Sequence, residues 1–193
     1  GFFWKFGERL LSQSVSFIIS LVLARLLSPS DYGMVTAILI YINIANVLIT
    51  NGASDALIQK KDANKEDFST LFWISLSISL VIYAIIYVAS PVIANLRGNS
   101  ELARMLRVLG LMVPLSSVAA IQHAYVAKRL QFRNYFFSTM VGAVLSGVIG
   151  ILMAVNGYGP WALICQYLVS TFSNIAVLAF VIDWHPSFAF NKN

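Results

Sequence analysis

Apolar runs dominate the chain, and polar residues gather in short breaks between them. No charged residue stands between Asp31 and Asp55, none between Asp67 and Arg97, and none between Arg133 and Asp183. A hydrocarbon core about 30 Å thick takes about 20 apolar residues of helix to cross. The first two gaps fit one crossing each, and the third fits two. The breaks themselves read as turns. In Ser28-Pro29-Ser30-Asp31-Tyr32-Gly33, serine and proline stop one helix, and Ser30 or Asp31 caps the next by accepting from free backbone N–H groups. Arg97-Gly98-Asn99-Ser100 and Asn156-Gly157-Tyr158-Gly159-Pro160 are further turns, and Lys128 to Asn134 is a basic connection. The pattern predicts an all-α integral membrane protein, with one domain over residues 1–193 built as a bundle of six transmembrane helices. They fall at about 3–27, 32–51, 68–96, 102–127, 135–155 and 161–182.

Particular stretches refine this outline. The uncharged run from Arg9 to Arg25 is short for a crossing, but long basic side chains can reach back to the interface. Residues 53–67 are the most polar segment, and their beginning extends the second helix as a short interfacial helix. Pro114 kinks the fourth helix. Residues 183–193 are polar or interfacial, with Pro186 ending any helix. The Tyr-Gly turns of the first and last helix pairs echo each other weakly and suggest two antiparallel hairpins.

Polar residues inside the spans recur at helical spacing. Arg9, Ser12, Gln13, Ser16 and Ser20 share a face of the first helix, and Thr36, Asn43, Asn46 and Thr50 a face of the second. Ser116, Ser117, Gln122 and His123 lie in the later half of the fourth, and Gln166, Ser170, Ser173 and Asn174 line one face of the sixth. Polar groups in hydrocarbon are costly without partners or water. Two readings stay open: hydrogen bonds between helices, or a hydrated cavity lined by the first, second, fourth and sixth. The fifth helix instead carries Ser138, Gly142, Ser146 and Gly150 at four-residue steps, a stripe that lets a neighbouring backbone approach closely. Trp4, Tyr32, Trp73, Tyr158, Trp161 and Trp184 stand near proposed span ends, where an interfacial belt is expected.

Composition agrees with lipid as the surrounding solvent: 59% of residues are hydrophobic and 11% charged, against about 25% charged in an ordinary soluble domain. The net charge of +5 reads as topology rather than nucleic-acid binding, because the basic residues sit in short loops. With six crossings, Lys5, Arg9, Lys60, Lys61, Lys65, Lys128, Arg129, Arg133 and Lys192 fall on one side, and Arg25, Arg97, Arg104 and Arg107 on the other. That excess places both termini of a multi-pass membrane protein in the cytoplasm. Cys165 has no second cysteine to pair with. The chain begins with Gly1, shows no cleavable signal pattern, and reads as a fragment. Nothing calls for a cofactor. His123 and His185 are far apart in sequence, there is no carboxylate pair within a span, and no glycine-rich phosphate loop occurs, so an enzyme is not expected.

Several motifs carry a resemblance. They are Leu23-Ala24-Arg25-Leu26-Leu27-Ser28-Pro29-Ser30-Asp31-Tyr32-Gly33, then Gly52…Ala56-Leu57-Ile58-Gln59-Lys60-Lys61-Asp62, then Asp67-Phe68-Ser69-Thr70. Ser146-Gly147…Gly150, Gly157-Tyr158-Gly159-Pro160-Trp161-Ala162-Leu163 and Trp184-His185-Pro186-Ser187 follow in order. The chain resembles the polysaccharide transporter family, the oligosaccharide flippases of the multidrug/oligosaccharidyl-lipid/polysaccharide exporter superfamily. His185 departs from a more usual arginine and removes a fixed charge there. The resemblance implies one lobe of a two-lobed transporter fold, the N-terminal bundle, whose partner would be a C-terminal helical bundle this chain does not contain. It implies alternating-access translocation of a lipid-linked oligosaccharide on polyprenyl diphosphate, with membrane lipid around it and no nucleic acid, for surface polysaccharide or lipopolysaccharide biosynthesis. Diphosphate favours basic partners, which singles out Arg9 and Arg25, with Lys128 and Arg129 guiding from the rim. Gln13, Asn43, Asn46 and Gln122 complete the candidate substrate-binding set. A drug or cation antiporter of the same superfamily and a non-transporting membrane scaffold subunit are the rival readings. The antiporter predicts a carboxylate deep in a span, and none is found there.

Overall fold

A computed structural model describes the backbone of residues 2–59 and 64–186, and side chains in that range outside 2–12, 48–59 and 132. Among the described residues seven α-helices follow one another: α1 (Phe2–Leu26), α2 (Pro29–Gln59), α3 (Lys65–Leu96), α4 (Glu101–Leu109), α5 (Met112–Lys128), α6 (Phe132–Val155) and α7 (Pro160–Val181). The spans Lys65–Leu96, Glu101–Lys128, Arg133–Val155 and Pro160–Val181 are each long and apolar enough to cross a bilayer. The described part of α1, Gln13–Leu26, is apolar but shorter. At about 1.5 Å per residue, the 31 residues of α2 extend about 46 Å. The fold is that of an all-α membrane protein.

The helix ends have local causes. Ser28, not Ser30 or Asp31, caps α2. Its hydroxyl accepts from the Asp31 N–H at 3.2 Å, and Asp31 Oδ2 accepts from the Ser28 N–H at 2.9 Å. Pro29 takes the first helical position, where a missing N–H costs nothing. α2 passes through Gly52 to Gln59 rather than ending at residue 51. A glycine weakens a helix by about 1 kcal/mol without breaking its hydrogen-bond ladder. Asp67 accepts from the Asn64 N–H at 2.9 Å and starts α3 three residues earlier than the apolar pattern places it. Lys60, Lys61 and Asp62 in the polar connection, and Lys192 near the end, lie outside the described residues.

The fourth predicted helix is two helices. Pro114 cannot donate to the Gly110 carbonyl, which instead accepts from Val113 at 2.9 Å in a tighter turn. The rod bends there against α3, where Tyr83 comes within 3.2 Å of where a Gly110 Cβ would lie. α3 has its own proline. Pro91 leaves the Tyr87 carbonyl without its helical donor, and the Ser90 hydroxyl fills the place at 2.8 Å. Ser90 Oγ then accepts from Arg107 Nε at 2.7 Å, and the Arg107 guanidinium lies 4.5 Å from the centre of the Tyr87 ring. Arg107 thus pins α4 to α3 beside Pro91.

The most extensive interface joins α6 and α7. The small-residue stripe faces α7: Ser138 and Ser146 are buried, and a Cβ on Gly142 would come within 2.9 Å of the Ser170 carbonyl oxygen. α1 lies on α6, with Ile19 against Gly147, and among the described residues the first helix pair does not close in the manner of α6 and α7. α5 packs among α2, α3 and α7.

The turns sort into two ends. At one, Gly159 approaches Asp31, Asn99 Nδ2 donates to Met34 Sδ at 3.4 Å, and Trp161 Nε1 donates to Glu101 at 3.1 Å. At the other, Trp184 is buried rather than belted at an interface. Its Nε1 donates to the Lys65 carbonyl at 3.2 Å, and its ring stacks on Tyr125 at 5.8 Å. Between the ends, α3 exposes Ile74, Ile78, Val81, Ile85, Val88 and Val92 along one stripe, a surface suited to lipid tails.

Candidate functional site

Two recesses flank α7. The first, of about 430 Å³, lies between α1, α6 and α7, with Tyr32 of α2 at one edge. Ser16 and Ser20 face it from α1, Ser146 from α6, and Gln166, Tyr167 and Ser170 from α7. The second, of about 440 Å³, opens between α5 and α7 and is lined by Ser116, His123, Ser170, Thr171 and Asn174 among alanines. Ser170 borders both. Helical periodicity brings Gln166, Ser170 and Asn174 to one side of α7, and the Gly142 contact holds that backbone close to α6. Neither lining includes an aspartate, glutamate, lysine or arginine among the described residues. The chemistry on offer is hydroxyl, amide, phenol and imidazole.

The second recess has a built hydrogen-bond chain behind it. The Tyr135 carbonyl can only accept, and the Ser138 hydroxyl donates to it at 2.8 Å. Ser138 Oγ therefore accepts from Asn174 Nδ2, 3.2 Å away. That turns Asn174 Oδ1 to His123 Nε2 at 2.9 Å. An amide oxygen there requires the proton on Nε2, which assigns the tautomer. The Tyr135 ring meets the imidazole edge-on at 4.8 Å. Three helices are joined through one asparagine.

The structure brings together part of the predicted set. Ser16 and Ser20 of the α1 stripe and Gln166 and Ser170 of the α7 stripe line one recess. Gln13 is exposed on α1 above it, and Arg9 lies in α1 with its side chain outside the described residues. Arg25 is exposed in the last turn of α1, beside Ala24, which does line the recess. Asn43 is exposed and Asn46 half-buried on α2, and neither borders a recess. Gln122 is buried between α5 and α7, where Nε2 donates to the Ile175 carbonyl at 3.3 Å and Oε1 finds no protein partner. Lys128 is half-buried and Arg129 exposed at the opposite end from Arg25, with the Arg129 guanidinium 5.8 Å from the Tyr125 ring centre. Sequence reasoning placed His123 in the polar half of the fourth helix but not its bond to Asn174, which lies 51 residues away. It placed Tyr32 near a span end, and this ring also edges the first recess.

A family model described as polysaccharide biosynthesis protein matches residues 22–193. The chain belongs to that family. Among curated members of similar sequence, the succinoglycan biosynthesis transport protein ExoT of Rhizobium meliloti is 28% identical over 188 residues, 97% of this chain and 38% of that protein. The teichuronic acid biosynthesis protein TuaB of Bacillus subtilis is 28% identical over 149 residues, 76% of this chain and 31% of TuaB. The lipopolysaccharide biosynthesis protein WzxC of Escherichia coli is 26% identical over 152 residues, 78% of this chain and 30% of WzxC. The chain therefore spans between 30% and 38% of the length of these relatives. No solved structure matches it significantly.

Proposed function

We propose that the protein carrying this chain moves a polyprenyl-diphosphate-linked oligosaccharide across the cytoplasmic membrane by alternating access. The observation that carries this reading is the polar face of α7, open on both flanks within a bundle whose outer surfaces are apolar. Such groups are not left facing hydrocarbon, so that face serves water, substrate or a second helical bundle. Membership of the family and a relative named as a transport protein support the same choice.

In this reading the chain crosses six times with both termini cytoplasmic, α4 and α5 sharing one crossing, and the bundle rocks against its mate. Sugar hydroxyls bond to Ser16, Ser20, Gln166 and Ser170, and ring faces meet Tyr32 and Tyr167. Arg9 and Arg25 hold the diphosphate at the ends of the α1 face, and Lys128 and Arg129 guide it at the cytoplasmic rim. Gln13, Asn43 and Asn46 belong to the surface turned toward the second bundle, and Gln122 holds α5 to α7. The lipid tail stays in the bilayer. The protein acts as a carrier rather than an enzyme.

Two lost substrate hydrogen bonds at about 1 kcal/mol each predict roughly a 10-fold or larger fall in transport. The test is to place Gln166→Leu with Ser170→Leu, and separately Arg25→Ala, in the full-length protein and measure surface polysaccharide at matched membrane levels. Wild-type export in all of these variants refutes the assignment.

A further inference from the structure

We propose that His123 is a proton-binding site of this bundle, taking up a proton on Nδ1 from the recess between α5 and α7. The inference begins with what the hydrogen-bond chain leaves over. Nε2 is committed as a donor to Asn174 Oδ1 at 2.9 Å, and Asn174 is fixed in turn by Ser138. The ring is held from the side by Tyr135. Both contacts orient the imidazole without using Nδ1, and no described residue bonds to that atom. The residue lines a recess of about 440 Å³ with the hydroxyls of Ser116, Ser170 and Thr171. Water can reach a cavity of that size and polarity.

A purely structural histidine is satisfied at both nitrogens or has the second sealed in apolar packing. Here the second nitrogen belongs to a residue that opens on a recess shared with three hydroxyls. Uptake is balanced: a hydronium gives its proton to the Nδ1 lone pair and leaves water, and the ring becomes imidazolium while Nε2–H keeps its acceptor. Asn174 Oδ1 then accepts from a cation, a stronger bond than before.

Among the described groups facing this recess, His123 is the one that can take up a proton to become a cation. From α6 the ionisable side chain against it is the phenol of Tyr135. The α7 residues at the recess, Ser170, Thr171 and Asn174, do not ionise. On α5 itself, Tyr125 turns to Trp184, and Lys128 and Arg129 lie farther on at the helix end. α3 presents Phe68 to the far side of α5, and its buried Asp67 is taken by the Asn64 N–H. α2 carries no ionisable residue between Ile42 and Val47. A charge at this depth is costly unless water or an anion reaches it, so proton uptake and entry of an anionic group reinforce each other by linkage.

The site itself is tested without transport. The full-length protein is purified in detergent with ¹⁵N-labelled histidine, and His123→Gln identifies the His123 signals. The expected result is a one-proton change from the Nε2–H neutral ring to imidazolium as the pH is lowered across the range in which the protein stays folded. A ring that stays neutral throughout overturns the proposal, whatever the protein transports. The second test rests on the transport reading and measures leaflet exchange of lipid-linked oligosaccharide in proteoliposomes. Wild type is expected to change by up to about 10-fold per pH unit on its limiting limb. His123→Gln keeps an N–H for Asn174 but cannot titrate, and its rate is expected to be flat. The wild-type pH profile persisting in His123→Gln overturns the coupling. If wild type exchanges nothing, the transport reading fails and the isotope titration alone decides the proton site. The titration also decides if His123→Gln is inactive at every pH.

Discussion

At the scale of single residues, space and hydrogen-bond capacity decide what each position tolerates. Gly142 and Gly147 look alike in sequence but meet different neighbours. A Cβ on Gly142 would sit 2.9 Å from the backbone oxygen of Ser170, whereas one on Gly147 would run into the Ile19 side chain at Cδ1 and Cγ1. Neither position has room for a methyl group. Gly142→Ala and Gly147→Ala are therefore each expected to destabilise the protein by about 1–3 kcal/mol, read as thermal or denaturant unfolding in detergent. Wild-type stability of Gly142→Ala would remove this account of the α6–α7 contact. The polar stripes of α1 and α7 were legible beforehand, since residues three and four apart share a helical face whatever the helix packs on. The bond between His123 and Asn174 was not, because nothing local to either residue points to the other.

At the scale of helices, prolines set the shape and neighbouring side chains repair what prolines remove. Pro114 was legible as a kink, and its consequence, a tight turn at Gly110 that separates α4 from α5, follows from the missing N–H. Pro91 left less trace in the pattern, because Ser90 restores the lost bond and α3 runs on through it. The arrangement makes Ser90 and Arg107 a coupled pair. Removing the Ser90 hydroxyl strips a donor from the Tyr87 carbonyl and an acceptor from Arg107. Ser90→Ala and Arg107→Met are each expected to cost about 1–3 kcal/mol, and the double variant less than their sum by at least about 0.5 kcal/mol. A double-mutant unfolding cycle measures this, and strict additivity would show that the contact carries no energy. Arg107 read in sequence as one of the basic residues on the less basic side of the membrane. Its contact with Ser90 and Tyr87 of α3 needed the third dimension.

At the scale of the whole molecule, the turns after α1, α3 and α6 meet at one end, while Lys65, Tyr125 and Trp184 meet at the other. In the six-crossing reading these two ends are the two faces of the membrane. With Cys165 replaced, single cysteines at Gly98 and Tyr158 are expected to label from the same face of the membrane, and one at Arg129 from the opposite face. An impermeant thiol reagent on intact cells checks this, and labelling of Gly98 and Arg129 from one side would break the topology. The sequence by itself determined that the protein is helical and lies in a membrane, roughly where its helices run, and which of their faces are polar. Those properties depend on residues within a few turns of one another and on transfer from water to lipid. The tertiary structure alone decided that α1 rests on α6, that polar faces from separate helices enclose two recesses along α7, and that Trp184 is buried instead of interfacial. These depend on contacts between residues far apart in the chain, where close packing selects among arrangements that the hydrophobic pattern leaves equal.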